Sequence, residues 1–174
     1  MKRSTLSLLS ALALLASSNV FASRWHDNLK VLSGPEVCID QAMISTGPSF
    51  DEQLGQFVAG ALRSDAAYRG LNFGKVKVDD CAGFLYFVGT IKNTPSGIVY
   101  GGHLQLVIQT GTLNDIKTTR LKTVSEGGKV DYVPIWDVET VVGIAPNRDD
   151  LMKVLAREAV DMFKVFVEDW YAKH

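Results

Sequence analysis

The spacing of apolar residues predicts two helices in this chain. Between residues 50 and 62, apolar positions recur at intervals of three and four, so they share one helical face. Ser49 and Glu52 have the spacing of a capping box, and we expect the first helix to begin there. A broader apolar stripe spans residues 151–170, with Asn147 before it as a candidate N-cap. This second helix is long enough to cover a sheet.

Alternation of apolar and polar residues predicts strands before and between these helices. Residues 35–44 begin with a proline and mix β-branched with polar residues, and residues 75–81 alternate valine with lysine. Residues 84–91 are apolar on both faces, which predicts a central, covered strand. Residues 93–97 supply the proline and glycine of a turn, so we expect the following strand to return antiparallel.

The returning strand has one apolar and one polar face. Over residues 103–109, leucine and isoleucine alternate with histidine and glutamine, so the polar side chains face solvent. Residues 116–124 predict a polar edge strand, whose basic residues discourage association between sheets. Residues 125–134 predict a flexible loop with paired glycines, and residues 135–144 predict the last strand.

Together these elements predict an α+β fold. Their order is β-α-β-β-β-β-β-α, in which strands follow one another in runs instead of alternating strictly with helices. We expect a mostly antiparallel sheet of five to six strands with two helices packed on one face.

The first residues have the pattern of a secretory signal peptide. Lys2 and Arg3 precede an apolar run over residues 6–16, and Val20-Phe21-Ala22 places small or tolerated residues at the two positions that cleavage recognises. The run has about eleven residues, and a membrane-spanning helix needs roughly twenty. We therefore expect a signal peptide at residues 1–22, a single periplasmic domain at residues 23–174, and no membrane span after cleavage.

Charge argues against a nucleic-acid partner. The whole chain has a formal net charge of −1, and removing residues 1–22 takes away Lys2 and Arg3 but no acid. The remaining chain is therefore mildly acidic, whereas nucleic-acid binders concentrate basic residues on one face. We expect no nucleic acid among its partners.

Two cysteines, Cys38 and Cys81, form the sole intramolecular pair that the sequence allows. An exported protein meets an oxidising compartment, which favours a disulfide between them. The spacing Cys-x-x-Cys of redox-active pairs is absent, so we predict a structural bridge.

Candidate catalytic chemistry centres on His103. A small secreted hydrolase could use His103 as a base with Asp79 or Asp80, although the sequence lacks a G-x-S-x-G nucleophile elbow. The two aspartates are adjacent on a predicted strand, so their side chains point to opposite faces and do not share a metal ion. We predict no catalytic residue, no metal and no cofactor, and expect the chain not to be an enzyme.

Aromatic residues with a polar group are common at interfaces. The candidate interaction surface consists of one histidine and five aromatic residues: His103, Tyr100, Tyr132, Trp136, Trp170 and Tyr171.

The predicted chain resembles the small cell-envelope α/β domains grouped around the N-terminal domain of TolB and CsgG. The resemblance rests on the order of elements, the small sheet closed by an amphipathic helix over residues 151–170, and the leader. The resemblance implies a role in envelope assembly or binding, with another envelope protein as partner. A carrier of a small apolar ligand between sheet and helix is an alternative. These patterns do not specify an oligomeric state.

Overall fold

A computed structural model describes residues 26–39, 42–73, 81–109, 132–138 and 140–174. It contains two 3₁₀ helices, seven strands and two α-helices within those ranges. They are η1 (His26–Val31), η2 (Gly34–Glu36), β1 (Val37–Ile39), β2 (Met43–Thr46), β3 (Ser49–Phe50), α1 (Glu52–Tyr68), β4 (Gly83–Thr94), β5 (Gly97–Gln109), β6 (Tyr132–Asp137), β7 (Val141–Ala145) and α2 (Arg148–Tyr171). The strand predicted over residues 75–81, apart from its last residue, and the edge strand predicted over residues 116–124 lie outside the described residues.

The sheet is built on the long antiparallel hairpin of β4 and β5. These strands pair along their whole length, from Gly83 opposite Ile108 to Thr94 opposite Gly97. On the far side of β4, β1 and β2 pair with it in parallel, and β3 turns back antiparallel on β2. On the far side of β5, β6 and β7 pair antiparallel with successive parts of it. The central strand and the turn predicted after it are thereby confirmed.

The α+β prediction is confirmed, with two differences in detail. The described sheet has seven strands and is mixed, since β1 and β2 run parallel to β4. The parallel pairing follows from α1, which acts as a crossover helix: it carries the chain back to the end of the sheet at which β1 and β2 begin, so β4 runs in their direction. Each of two predicted strands is divided into two. Residues 35–44 contribute to β1 and β2, and residues 135–144 contribute to β6 and β7.

The first helix begins later than the sequence predicted. Its N-cap is Asp51, whose carboxylate accepts a hydrogen bond from the Leu54 backbone N–H at 3.1 Å. Ser49, the predicted cap, belongs to β3 and pairs with Thr46. The strand pairing therefore takes Ser49 out of reach of the helix, and the next acceptor along the chain caps it. Asn147 caps α2 as predicted, through a hydrogen bond from the Asp150 backbone N–H.

The main core lies between the sheet and the two helices. The inward side chains of β5 alternate with outward ones, and Leu104, Leu106 and Ile108 are fully buried, as their alternation predicted. The apolar stripe of α2 packs against them, with Leu151, Leu155 and further members buried in the same cluster. Both helices thus cover one face of the sheet, which we call the inner face.

A membrane-crossing helix would have to be long and apolar, and no helix in the described ranges meets that requirement.

Candidate interaction surface

The predicted disulfide is present on the opposite, outer face of the sheet. Cys38 on β1 and Cys81, just before β4, are bonded, with Cα atoms 5.9 Å apart. Phe84 and Val107, which lie opposite each other on β4 and β5, are buried with the two cysteines in a second, smaller cluster. The bridge therefore ties the first strand to the chain entering the central hairpin.

His103 also lies on the outer face. It pairs with Val88 on β4 and is half-buried, flanked along β5 by the inward-facing Gly102 and Leu104. His103 and Gln105 thus lie, half-buried, on the face of β5 that was predicted to be polar, but Val107 on the same face is buried. Asp79 and Asp80, its partners in the hydrolase hypothesis, lie outside the described residues, so that hypothesis stays a prediction.

Three of the predicted surface aromatics lie in the core. Tyr100, Trp136 and Trp170 are each at most 7 % exposed and belong to the main cluster. Tyr100 shares the inner face of β5 with Leu104, and Trp170 belongs to the apolar stripe of α2. Burial raises the pKa of the Tyr100 phenol. These three residues are therefore removed from the predicted surface.

A β-bulge explains why Trp136 points inward. Leu106 pairs with Trp136, whereas the next residue, Val107, pairs with Pro134, so Ile135 is an extra residue on β6. An extra residue reverses the alternation of the strand beyond it. The Trp136 side chain consequently enters the core, 1 % exposed.

The buried indole has a polar partner on α2. The Trp136 Nε1–H donates a hydrogen bond to the Asp169 carboxylate at 2.9 Å. Asp169 is the buried charged residue of the described chain, and every buried side-chain polar atom in the described ranges has a hydrogen-bond partner. This contact joins β6 to α2 and is structural, because a satisfied pair leaves no polar atom directed at a ligand.

The other predicted surface residues do not form one patch. Tyr171 is exposed at the end of α2, on the helical side of the molecule, whereas His103 is on the outer face. Tyr132 begins β6 and pairs with Gln109, and its side chain lies outside the described part. The structure therefore does not bring the six predicted residues together.

An apolar pair that the sequence analysis did not single out is exposed on β7. Val142 and Ile144 are 75 % and 61 % exposed. They alternate with the less exposed Val141 and Gly143 and lie opposite Gly101 and Val99 on the outer face. The sequence of β7, VVGIA, has no alternation of apolar and polar residues, so no local signal separates the exposed pair from its neighbours. We call Val99, Val142 and Ile144 the β7 patch.

The backbone of β7 adds a second property to this patch. β7 pairs with β5 along one edge, and its other edge pairs with no strand in the described part of the chain. Its sequence, VVGIA, contains no charged residue and no proline. Edge strands usually carry such residues because these prevent pairing with another chain. Within the described ranges, β7 is therefore an edge strand that no other strand covers, and it carries exposed apolar side chains.

Metal chemistry receives no support from the described ranges. In them, no group of three or more histidine, cysteine, aspartate or glutamate residues is placed to hold a metal ion.

Comparisons with models of protein families, with curated proteins and with solved structures find no match to this chain. The resemblance to cell-envelope domains therefore stays a prediction.

Proposed function

We propose that this chain is an exported, non-enzymatic domain that binds another cell-envelope protein, and that the partner adds an extended segment alongside β7. The proposal rests on the edge of β7, which pairs with no strand among the described residues, and on its exposed Val142 and Ile144. Addition of a strand to a sheet edge is a recurrent mode of peptide recognition, in which main-chain hydrogen bonds supply affinity.

The disulfide supports export. Bridges such as Cys38–Cys81 persist in oxidising compartments and are rare in the cytosol. The leader pattern of residues 1–22 points to the same destination. Periplasmic location and removal of the leader are part of the proposal.

The chemistry of β7 defines the partner. Because the strand is neutral, its partner should be a neutral, extended segment with apolar residues at alternate positions. Side chains opposite Val142 and Ile144 would then form apolar cross-strand pairs, each contributing roughly 0.2–1 kcal/mol. A highly charged or helical segment would not match this edge.

Photo-crosslinking in intact cells tests the proposal. A benzophenone amino acid is introduced at position 142 or 144, and at the exposed apolar positions 57 and 68 of α1 as controls. We expect one discrete adduct from 142 and 144, identified by mass spectrometry, and no such adduct from the control positions. Equal adducts at all four positions, or none at β7, would refute the proposed docking edge.

Matched lysine variants then test the identified partner after purification. Val142→Lys with Ile144→Lys should weaken its binding at least tenfold, because two charges would face an apolar segment. Phe57→Lys with Tyr68→Lys on α1 should leave binding unchanged. Circular dichroism checks that both variants are folded. Equal weakening by the two pairs would contradict the assignment of the edge.

A further inference from the structure

The backbone hydrogen-bonding groups of Val142 and Ile144 point away from β5. The Val141 carbonyl oxygen faces β5, because it lies 3.5 Å from the position that a Cβ on Gly101 would take. The Gly101 carbonyl oxygen lies instead on the β4 side, 3.2 Å from the corresponding position on Gly89. Bonded and non-bonded pairs alternate along antiparallel strands, so Gly101 and its partner Val142 form a non-bonded pair. The N–H and C=O groups of Val142 and Ile144 therefore project from the second edge of β7, which no described strand occupies.

This edge is symmetric about Gly143, the middle residue of β7. On each side of Gly143 stands a residue with an exposed β-branched side chain and outward hydrogen-bonding groups. If a second copy of the strand is turned by a two-fold axis at Gly143, Val142 of one copy lies opposite Ile144 of the other, and the reverse. Both are then bonded pairs, each of which exchanges two main-chain hydrogen bonds. β7 is therefore its own complement.

Both faces of such a pair are compatible with close approach. On the outer face, Val142 and Ile144 would meet their counterparts with Val99 beside them, which makes one apolar strip across the two copies. On the inner face, Gly143 has no side chain, and the Tyr100 phenol fills the place where a Cβ would stand. Opposed glycines form the non-bonded pair at the axis, where the strands approach most closely.

Charge near the axis is balanced. Arg157 and Glu158 on α2 act electrostatically on the Tyr100 phenol, which lies against Gly143. The Arg157 guanidinium pairs with the Glu158 carboxylate at 3.0 Å. Each copy thus brings one base and one acid toward the axis, so two copies meet there without a net charge that would repel them.

The chain on either side limits this pairing to β7. β6 precedes it along the same side of β5, and there the Asn28 side-chain amide of η1 donates a hydrogen bond to the Ile135 carbonyl oxygen at 3.2 Å. Pro134 on β6 has no N–H to donate. After β7, Pro146 also lacks an N–H, and α2 begins at Arg148. Five residues a side form a small interface, so the dimer should be weak and concentration-dependent.

We propose that a second copy of this chain pairs antiparallel with β7 about the two-fold axis at Gly143, and that it occupies the edge when no partner segment is bound. The inference rests on the docking edge of the proposed function, but not on which envelope protein binds there. A two-fold pair closes on itself, so it covers an edge strand that would otherwise be open to indefinite association. The partner binds the monomer, because the second copy and the partner compete for the same main-chain groups.

Sedimentation equilibrium of the purified native chain measures the pairing. We expect a monomer–dimer equilibrium with a dissociation constant between about 1 µM and 1 mM. Val142→Lys with Ile144→Lys should raise this constant at least about tenfold, because like charges would then lie directly opposite each other. Phe57→Lys with Tyr68→Lys on α1 should leave it unchanged. A wild type that stays monomeric up to about 1 mM would overturn the proposal, as would equal effects of the two lysine pairs.

Introduced thiols test the register without depending on charge. Val142→Cys and Ile144→Cys chains are mixed and gently oxidised. In the proposed register the two positions are opposite, about 5.5 Å apart between Cα atoms, which is within reach of a disulfide. Either variant alone places its thiols diagonally, at about 7–8 Å, which is too far. A covalent dimer should therefore form mainly in the mixture, and equal yields from the single variants would refute the axis at Gly143.

Photo-crosslinking in cells separates the dimer from the proposed partner. A monomeric wild type that still gives an adduct with a different protein at positions 142 and 144 would overturn the dimer alone. A dimer with the expected register, whose adducts in cells contain only this chain, would support the dimer and refute an envelope partner at β7.

Discussion

Substitution of Asp51 tests how the two helices are joined at their N-termini. Its carboxylate caps α1 by accepting the Leu54 backbone N–H. Both carboxylate oxygens also accept hydrogen bonds from the Arg148 guanidinium, at 2.7 and 2.9 Å. Arg148 is the first residue of α2. One carboxylate therefore stabilises the start of one helix and holds the start of the other.

The expected loss follows from these two roles. Replacing an N-cap aspartate by alanine costs about 1 kcal/mol. The pair with Arg148 adds about 1 kcal/mol at most, because the Arg148 side chain is 45 % exposed even though that of Asp51 is 11 % exposed. Asp51→Ala should thus lower the free energy of unfolding by about 2 kcal/mol. For a domain of this size, the melting temperature should fall by about 4–8 °C.

Urea unfolding of a double-mutant cycle separates the two contributions. Asp51→Ala and Arg148→Ala, alone and combined, should show a coupling energy of about 0.5–1 kcal/mol. Asp51→Asn should cost less than Asp51→Ala, because an asparagine oxygen can still cap the helix. Asp149→Ala, in the first turn of α2, is the control for the loss of an acid near a helix N-terminus. Strictly additive losses would refute the ion pair, and equal losses in Asp51→Asn and Asp51→Ala would refute the capping role.

The same pair predicts a pH dependence with a definite sign. The hydrogen bond from Arg148 is the main cause that lowers the pKa of Asp51 from its ordinary value of 3.8. A carboxyl group with a lower pKa in the folded state adds stability above the unfolded-state pKa and loses it as the pH falls through the folded-state pKa. The stability difference between wild type and Asp51→Asn should therefore be constant from about pH 7 to 5 and shrink below about pH 4. A difference that grew on acidification would contradict this reasoning.

Two further substitutions test the packing and the staple. Gly102→Ala should destabilise the fold by about 1–3 kcal/mol in urea unfolding, because the new Cβ would lie 2.9 Å from Phe87 Cε1 in the core. Gly60→Ala is the control: its Cβ would lie in open space on α1, so it should stabilise the fold by about 0.5–1 kcal/mol. Replacing Cys38 and Cys81 by alanine should lower stability by up to about 4 kcal/mol, by the chain-entropy argument for their separation of 43 residues. A neutral Gly102→Ala variant would show that the core around Phe87 can move to accept a methyl group, and a neutral double alanine variant would show that the disulfide does not stabilise the fold.

Periodicity and covalent chemistry made much of the fold predictable. The alternation over residues 103–109 fixed the inward side of β5, and the helical stripe over residues 151–170 fixed the buried side of α2. The cysteine pair needed no choice of connectivity. The two periodicities are local patterns, and two cysteines allow one intramolecular pair, so neither prediction depends on the rest of the chain.

Pairing between distant segments decided what the sequence could not specify. Alternation through residues 133–137 alone would place Trp136 on the outer face, but the bulge at Ile135 turns it inward to Asp169. Ser49 has the pattern of a helix cap, yet its pairing with Thr46 leaves that role to Asp51. A bulge and a two-residue strand arise from contacts with other strands and have no strong local signal.

The candidate site was the least predictable part. Aromatic residues such as Trp170 suit both cores and interfaces, and only their burial distinguishes the two. Tyr100 could have been assigned to the core, because it lies four residues before Leu104 on the same strand face. Val142 and Ile144 are exposed because they lie on the outer face of the sheet, away from both helices, and this placement requires the complete topology.

Hydrogen exchange of the β7 backbone amides, measured with and without the purified crosslinked partner, tests strand addition most directly. We expect amides within residues 141–145 to exchange at least tenfold more slowly in the complex, while those of α1 keep their rates. Unchanged β7 amides together with slowed exchange elsewhere would show that the partner binds another surface and would contradict the account.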